Sequence, residues 1–492
     1  MWSFFWKERD SGRRPLNPIS SSDTPTPPVR NGNSTGRAHV EQRPTVSPPL
    51  DSTTSDARHA DETFAREDLL PRFNLDALDE PNDRVDMTNS VSSIRSHLID
   101  SFSSAQPVTN RSQLIGRLPE IEQLISAVSE KRAHALVFGA RGYGKTSLVR
   151  IFGQIADEAR YLVVYLSCGD VDDFAALMRP YLTFVPIQYS AQAHESRAWS
   201  ETNTRDTLAD LLPANSFTAS QLANVLQTIE GARLVFILDE YDRVVDLAVQ
   251  REIANLIKDL SDLLARVHLI LVGVASNVQE LLGFHPSINR NLVCVPISRL
   301  KTADARRLIE TGVTECGLSI DARVKEAIVS IAHGSPYHLR LMCLHSGLAT
   351  LRSGSKNIDD RAFQRGLKDA LADWTKIDRE CAELIQLIEA DSFVLAASTA
   401  IARANLRRGD SFTISQATPE LAKLLGTQNI TATSLRLGRF CKDLAYKGGI
   451  LRSESSDTGD LGSIVYSFKN NLTAPFLLMA SYLSTKSRLG PG

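Results

Sequence analysis

The chain has 492 residues, which is too long for one ordinary hydrophobic core and predicts two to four domains. Its 42% hydrophobic and 23% charged residues are typical of a soluble globular protein, and a net charge of −2 gives no overall basic signature for nucleic acid. The six cysteines are scattered and lack a zinc-binding pattern, which predicts buried thiols. The sequence shows no apolar run of membrane-spanning length and no signal peptide, which predicts a cytoplasmic location.

The first part of the chain is rich in proline and polar residues. Eleven of the 21 prolines precede residue 108, among many serines, threonines and charged side chains. Such a segment buries too little apolar surface to offset its chain entropy, so we expect residues 1–105 to form a disordered arm. Two pieces of the arm are apolar enough to order on a partner, namely Trp2–Trp6 and Ile94–Phe102.

From residue 109 onward, short β-rich apolar runs alternate with stretches of helical periodicity. This alternation predicts an α/β fold in which helices cover a parallel sheet over residues 109–300. Residues 301–347 have helical periodicity and predict a lid, and a further, mostly helical domain is expected at 360–485. The predicted strands are His134–Phe138, Leu162–Leu166, Leu234–Leu238, Leu269–Val274 and Leu292–Val295.

The first predicted strand runs directly into a glycine-rich loop. Residues 139–146 read GARGYGKT and match G-x-x-x-x-G-K-[ST], with a helix expected to follow. Glycines let backbone N–H groups surround phosphate oxygens, Lys145 reaches the β- and γ-phosphates, and the Thr146 hydroxyl ligates Mg²⁺. The residues expected to surround the phosphates are Gly139, Ala140, Arg141, Gly142, Tyr143, Gly144, Lys145, Thr146 and Ser147.

A second motif follows about 95 residues later, where Leu234–Leu238 runs into two acids. Such a Walker B pattern places both acids at the carboxyl edge of the sheet, beside the phosphate loop. We expect Asp239 to hold the Mg²⁺ hydration shell and Glu240 to orient or deprotonate the attacking water.

Two polar positions have less specific signals. Asn277, with Ser276 as a neighbour, follows the next predicted strand and could sense the γ-phosphate, or it could simply end the strand. Arg290 precedes the last strand and could reach a neighbouring subunit's γ-phosphate, or it could be an ordinary surface arginine.

Together these motifs resemble AAA+ and STAND-type P-loop ATPases related to origin-recognition initiators, and more closely a bacterial group of AAA family ATP-binding proteins. The likeness covers about residues 109–347, including LIGRLPEIEQL, FILDEYDRV and GSP at 334–336. It implies ATP and Mg²⁺ as cofactors, with Gly116 and Arg117 near the adenine and Pro336 against the base. The usual sensor arginine of the lid is replaced by Tyr337, which leaves Arg340 as a weak candidate.

The C-terminal domain resembles the winged helix that follows the lid in similar ATPases. A helix at Thr431–Lys447 precedes a hairpin formed by Ile450–Ser453 and Ser463–Phe468. The basic residues of this helix could contact DNA phosphates, but they could equally form a solvated face. Many winged helices also bind proteins. These residues are Arg436, Arg439, Lys442 and Lys447.

The sequence thus predicts an ATPase that uses its cycle as a conformational switch on a macromolecular partner, either protein or DNA, with an ATP-dependent homo-oligomer as one arrangement. One alternative is a STAND-like signalling or scaffold protein with little hydrolysis. Another is a DNA-associated ATPase of replication, transposition or defence.

Overall fold

The computed structural model describes residues 91–191, 206–275, 281, 288, 290–446, 449–455 and 464–489. Of the predicted arm, only its end falls in these ranges. There the expectation of disorder up to residue 105 is wrong, because helix α1 (Val91–Phe102) is folded and buries Ile94, Leu98 and Phe102. The same spacing that suggested an amphipathic piece gives α1 its buried stripe.

A five-stranded parallel sheet forms the centre of residues 109–300, as predicted. The strand order is β2-β3-β4-β1-β5. The strands are β1 (His134–Phe138), β2 (Leu162–Ser167), β3 (Leu234–Asp239), β4 (Val267–Gly273) and β5 (Leu292–Pro296). The helices of this region are α2 (Leu118–Ser129), α3 (Lys145–Glu158), α4 (Phe174–Leu182), α5 (Ala219–Leu226) and α6 (Leu247–Asp262).

Alternate residues of each strand belong to two separate hydrophobic clusters, one on each face of the sheet. Phe236 and Leu238 of β3 belong to the cluster that includes α4 and α6. Val235 and Ile237 belong to the cluster that includes α2 and α3. Because side chains alternate across a strand, a buried sheet of this kind needs helices on both faces. We call residues 109–300 the sheet half.

The predicted lid contains three helices, α7 (Thr302–Glu315), α8 (Ala322–Ala332) and α9 (Pro336–Arg352). It also contains β6 (Ser319–Ile320), which pairs in parallel with β7 (Asn357–Ile358). This two-residue pairing was not predicted, since it is too short to leave a periodic signal.

The described residues of the C-terminal region form six helices and a small antiparallel sheet. The helices are α10 (Asp360–Ile377), α11 (Arg379–Ala390), α12 (Ser392–Arg407), α13 (Ile414–Leu425), α14 (Ile430–Tyr446) and α15 (Thr473–Leu489). Strands β9 (Leu451–Ser455) and β10 (Ile464–Phe468) form the predicted hairpin after α14. A third strand, β8 (Ser411–Thr413), adds to β10 and was not predicted.

Helix α1, the lid and the C-terminal helices share one continuous hydrophobic core. Within it, a Cβ on Gly312 would lie 2.4 Å from the Phe102 ring, and one on Gly347 would lie 2.7 Å from Leu98. The rings of Trp374 and Phe476 are stacked with centroids 4.1 Å apart. These elements therefore fold as one body, which we call the helical half.

In the described ranges, none of the helices has the length and apolar character needed to cross a membrane. All six cysteines are free thiols, and five are buried as predicted. Cys294 is exposed instead, because its position on β5, the last strand in the sheet order, leaves one side uncovered.

Candidate nucleotide-binding site

The loop that the sequence assigns to phosphate binding connects β1 to α3. Gly139 has φ 153°, and a Cβ there would lie 2.3 Å from the Ile297 carbonyl oxygen. Gly144 has φ 90° and forms the N-cap of α3, a conformation that side-chain-bearing residues rarely adopt. The loop therefore presents backbone N–H groups at a helix N-terminus, where the helix dipole favours an anion.

Lys145 lies at the start of α3 and points back into this loop. Its Nζ donates hydrogen bonds to the carbonyl oxygens of Gly139 at 2.9 Å and Ala140 at 3.0 Å. Burial lowers the pKa of the amine to about 8, although the neighbouring carboxylates of Asp242 and Asp239 oppose the shift. A buried ammonium with this environment is stabilised by the oxygens of a polyphosphate.

Asp239 and Glu240 occupy the carboxyl end of β3, as predicted. Asp239 is buried, and its Oδ1 accepts a hydrogen bond from the Glu240 amide at 2.9 Å. Glu240 has φ 55°, a left-handed backbone conformation that costs about 1–3 kcal/mol and is concentrated at functional sites. Its Oε2 accepts hydrogen bonds from Ser167 Oγ at 3.0 Å and Arg243 Nη1 at 3.2 Å. The side chain is 54% exposed, so it can reach water.

These residues suit a magnesium ion held mainly by phosphate and water. Among the described residues, no group of three or more His, Cys, Asp or Glu side chains could hold a metal by itself. Mg²⁺ prefers oxygen ligands and usually takes one or two from the protein. The Thr146 hydroxyl and the Asp239 carboxylate provide that number and that chemistry.

Sequence reasoning missed two side chains at the end of β2. Ser167 pairs in register with Asp239, and Tyr165 pairs with Ile237. Ser167 contacts Glu240, while the Tyr165 hydroxyl donates to Asp239 Oδ2 at 2.5 Å. The signal was available, because the carboxyl ends of neighbouring parallel strands meet at one edge of a sheet.

Arg117, predicted to lie near the adenine, forms hydrogen bonds with the phosphate loop. Its guanidinium donates to the carbonyl oxygens of Tyr143 at 2.9 Å and Ser298 at 2.6 Å, and it pairs with Glu120. Burial lowers the pKa of this guanidinium, and Glu120 opposes the shift. Gly116, with φ 72°, packs closely against Asp304 of α7. The entry segment therefore fixes the phosphate loop against β5 and the lid.

The N-terminus of α9 also meets the phosphate loop. Pro336 is the first residue of α9, and the Tyr337 amide donates to the Gly142 carbonyl at 3.4 Å. This brings Pro336 beside the predicted site.

Arg340 does not contact the phosphate loop. It is buried, and its guanidinium donates to the carbonyl oxygens of Ser101 at 2.5 Å and Gln113 at 3.0 Å. It therefore ties the end of α1 and the entry segment to the lid, and a sensor role for it is wrong. This structural role agrees with the position of Arg340, which differs from that of the usual sensor arginine of the lid.

The outcomes for two further predicted residues differ. Asn277 and its neighbour Ser276 fall outside the described residues. Arg290 is exposed and precedes β5, whose first residue pairs in register with His134 at the start of β1. Because the phosphate loop follows the opposite end of β1, Arg290 lies at the other edge of the sheet from its own chain's loop. A role in a neighbouring subunit stays a prediction.

A polar network connects the phosphate loop to the helical half. The Tyr143 hydroxyl donates to Asp410 Oδ2 at 2.9 Å and accepts from Arg299 Nε at 2.6 Å. Arg299 also forms an ion pair with Asp410 and donates to the Leu406 carbonyl. Burial, and then the charge of Asp410, raises the pKa of the Tyr143 hydroxyl, which keeps it a donor. Nothing in the local sequence marks Asp410, which lies 267 positions from Tyr143.

Three of the predicted basic residues of α14 are exposed, namely Arg436, Arg439 and Lys442. They differ in that the Arg436 guanidinium lies over the Phe393 ring, 3.6 Å from its centroid. Lys447 falls outside the described residues.

The model of a family described as novel STAND NTPase 1 matches residues 107–372. Among solved structures, the chain is similar to the Orc1 protein of Aeropyrum pernix in complex with DNA, with 14% identity and a TM-score of 0.40, covering 79% of this chain and 98% of that one. It is also similar to the Walker-type ATPase paby2304 of Pyrococcus abyssi, with 18% identity and a TM-score of 0.44, covering 77% and 99%. No curated protein matches the sequence.

Proposed function

Because the chain belongs to the novel STAND NTPase 1 family and is therefore a P-loop NTP hydrolase, we propose that it uses ATP with Mg²⁺ as a conformational switch. In this proposal the state of the phosphate loop determines how the helical half sits against the sheet half. The helical half then transmits the change to a macromolecular partner.

The observation that carries the proposal is the network of Tyr143, Arg299 and Asp410. It joins a residue of the phosphate loop to a residue of the C-terminal region through charged and polar groups only. Next to it, the Leu472 side chain and Tyr337 lie against Gly142. A phosphate that reorganised residues 139–146 would therefore act directly on contacts with the helical half.

The proposed hydrolytic chemistry uses four side chains. Lys145 and the amides at the start of α3 would bind the terminal phosphates, and the Thr146 hydroxyl and the Asp239 carboxylate would hold the metal. Bound magnesium would neutralise charge on the β- and γ-phosphates. Glu240, half-exposed and held by Ser167 and Arg243, orients the attacking water and accepts its proton.

Nucleotide affinity and steady-state phosphate release test this assignment. We expect Lys145→Ala to lower ATP affinity by at least about 100-fold, since a buried charge-assisted contact is lost. Glu240→Gln should bind ATP like the parent but lower turnover by about 100-fold or more, since only water activation is removed. Lys258→Ala, an exposed lysine of α6, is the control and should change neither value. Normal turnover in Glu240→Gln would contradict the water-activating role.

Hydrogen exchange tests the switch itself. We expect ATP·Mg²⁺ bound to Glu240→Gln to change amide exchange in the segment around Asp410 and Leu472 as well as in the phosphate loop. Equal exchange in the ATP and ADP states at those C-terminal segments would contradict a switch. If, in addition, the parent released phosphate no faster than Lys145→Ala, the alternative of a nucleotide-binding scaffold with little hydrolysis would be supported.

A second candidate function, association with DNA, is supported by the exposed Arg439 and Lys442 on the helix before the hairpin β9–β10. Helix, hairpin and basic side chains in this order suit a winged helix that contacts phosphates. A salt-sensitive mobility shift that weakens in Arg439→Ala and Lys442→Ala more than in Arg436→Ala would support it. Absence of binding at low salt would exclude it.

The proposal also includes an ATP-dependent homo-oligomer. Because Arg290 lies away from its own phosphate loop, a catalytic role for it requires the site of a neighbouring subunit, and the alternative is an ordinary surface arginine. Light scattering after size-exclusion chromatography, with and without ATP·Mg²⁺, should show a larger species that Arg290→Ala leaves intact but less active.

A further inference from the structure

Tyr165 lies near the carboxyl end of β2, in register with Ile237 of the neighbouring strand. From there its hydroxyl reaches the Asp239 carboxylate and donates to Oδ2 at 2.5 Å. The other oxygen, Oδ1, accepts from the Glu240 amide at 2.9 Å. Both oxygens of the predicted magnesium carboxylate are thus held by donors of the chain.

The Tyr165 side chain is packed between two elements. Its hydroxyl meets Asp239 of β3 on one side. On the other side, the Arg150 guanidinium lies 5.1 Å from the Tyr165 ring centroid. Arg150 belongs to α3 and follows Thr146 by one helical turn, so the ring is packed between the helix that carries one metal ligand and the strand that carries the other.

Two donors leave a carboxylate with free lone pairs, since its two oxygens together accept about four hydrogen bonds. The amide fixes one oxygen to the backbone, and the phenol fixes the plane of the carboxylate about the Cβ–Cγ bond. Without the phenol, the carboxylate would be free to rotate away from the direction of the metal. Donors of this kind typically change metal affinity 10- to 100-fold when they are removed.

We propose that Tyr165 is a positioning residue of the magnesium site, which holds the Asp239 carboxylate in the orientation that Mg²⁺ requires. This inference rests on the proposed function, because it assigns a role toward the metal of that same site. Tyr165 thereby becomes a member of the site that neither the phosphate-loop motif nor the two acids at the end of β3 identify.

The test uses the full-length chain and the variant Tyr165→Phe. Magnesium chloride is titrated calorimetrically into protein saturated with a non-hydrolysable ATP analogue, and nucleotide affinity is measured separately in EDTA. We expect the apparent dissociation constant for Mg²⁺ to rise about tenfold, while nucleotide affinity in EDTA stays within about twofold. Tyr161→Phe, at the other end of β2 where the hydroxyl lies 3.4 Å from Arg233 Nη1, is the matched control and should behave like the parent.

A double-mutant cycle separates positioning from a general structural role. In an Asp239→Asn background, Tyr165→Phe should have no further effect on Mg²⁺ affinity, since the group that it positions is gone. An unchanged Mg²⁺ affinity in Tyr165→Phe, or an equal effect in both backgrounds, would overturn the inference. Failure of the parent to bind nucleotide with magnesium at all would instead overturn the proposed function, so the two failures are distinguishable.

Discussion

The sheet half and the helical half bury their side chains in different ways. The sheet half has two clusters, one on each face of its five strands. The helical half has one cluster that runs from α1 through the lid to α15. The lid therefore belongs, by its core, with the C-terminal helices and not with the sheet that precedes it in sequence.

This difference indicates where the molecule can move at low free-energy cost. A shared hydrophobic core resists separation, because exposing it costs about 25 cal/mol for each Å² of apolar surface. The contacts of Tyr143 and Arg299 with Asp410 are polar, so water can replace them with a much smaller net penalty. Motion is therefore expected between the halves, at the phosphate loop, and not between the lid and the C-terminal region.

The largest expected effect comes from truncating one aromatic side chain in each half. Phe102→Ala should destabilise the helical half, and Phe236→Ala the sheet half, each by about 3–5 kcal/mol, since both side chains are fully buried. Amide exchange measured segment by segment should show the loss of stability only in the half that carries the substitution. Nucleotide affinity should fall in Phe236→Ala but stay near that of the parent in Phe102→Ala.

Ile99→Ala is the control for the first substitution, because Ile99 lies on the same helix but is 42% exposed. It should leave exchange in the lid unchanged. Uniform loss of protection across α7, α10 and the sheet in Phe102→Ala would show that the two halves unfold as one unit.

The sheet half is also where the sequence was most informative. Predicted strand bounds such as His134–Phe138 agree with the structure, and the others differ by one or two residues, because strand, loop and acid patterns are local. The role of Tyr165 could have been inferred from adjacent strand ends, although its partner Asp239 lies 74 positions away. The role of Arg340 was missed, since its partner Ser101 lies 239 positions away. The folded end of the arm was missed for the same reason, because α1 acquires its buried partners only from the lid and α9.

An intermediate effect is expected at the contact between the halves. Asp410→Asn removes the charge that pairs with Arg299 and weakens the hydrogen bond from Tyr143. The pair is partly exposed, so we expect the free energy of the contact between the two halves to weaken by about 1–2 kcal/mol, which is less than for a fully buried pair. Because this substitution touches neither core, the melting temperature should change little, while ATP should dissociate about tenfold faster.

Glu420→Gln is the matched control for this change, since it breaks the ion pairs with Arg403 and Arg407 inside the helical half. Its ATP dissociation rate should equal that of the parent. If Asp410→Asn and Glu420→Gln had the same rate, the contact would not couple the halves.

The smallest effect is a pH dependence to which buried histidines contribute in each half. The sheet half buries His134 and His268, and the helical half buries His338. His134 in β1 accepts a hydrogen bond from the Leu269 amide, and His338 in α9 contacts the Leu472 carbonyl through Nε2 at 3.1 Å. Burial is the main cause that lowers the pKa of both imidazoles to about 3. Unfolding frees them to take up a proton near their ordinary pKa of about 6.5.

The unfolded chain therefore binds more protons below pH 6.5, so stability is complete above that value and falls as the pH decreases toward 3. At pH 5.5 His134 and His338 should each lower the free energy of unfolding of their half by about 1.4 kcal/mol. His134→Asn should reduce this dependence for the sheet half alone, where His268 still contributes, and His338→Gln should reduce it for the helical half alone, as read by amide exchange between pH 7.5 and 5.5. The exposed His97 provides the control substitution His97→Gln. A flattening of both halves by either substitution would mean that the halves share one unfolding equilibrium, and the separation argued from their cores would not hold.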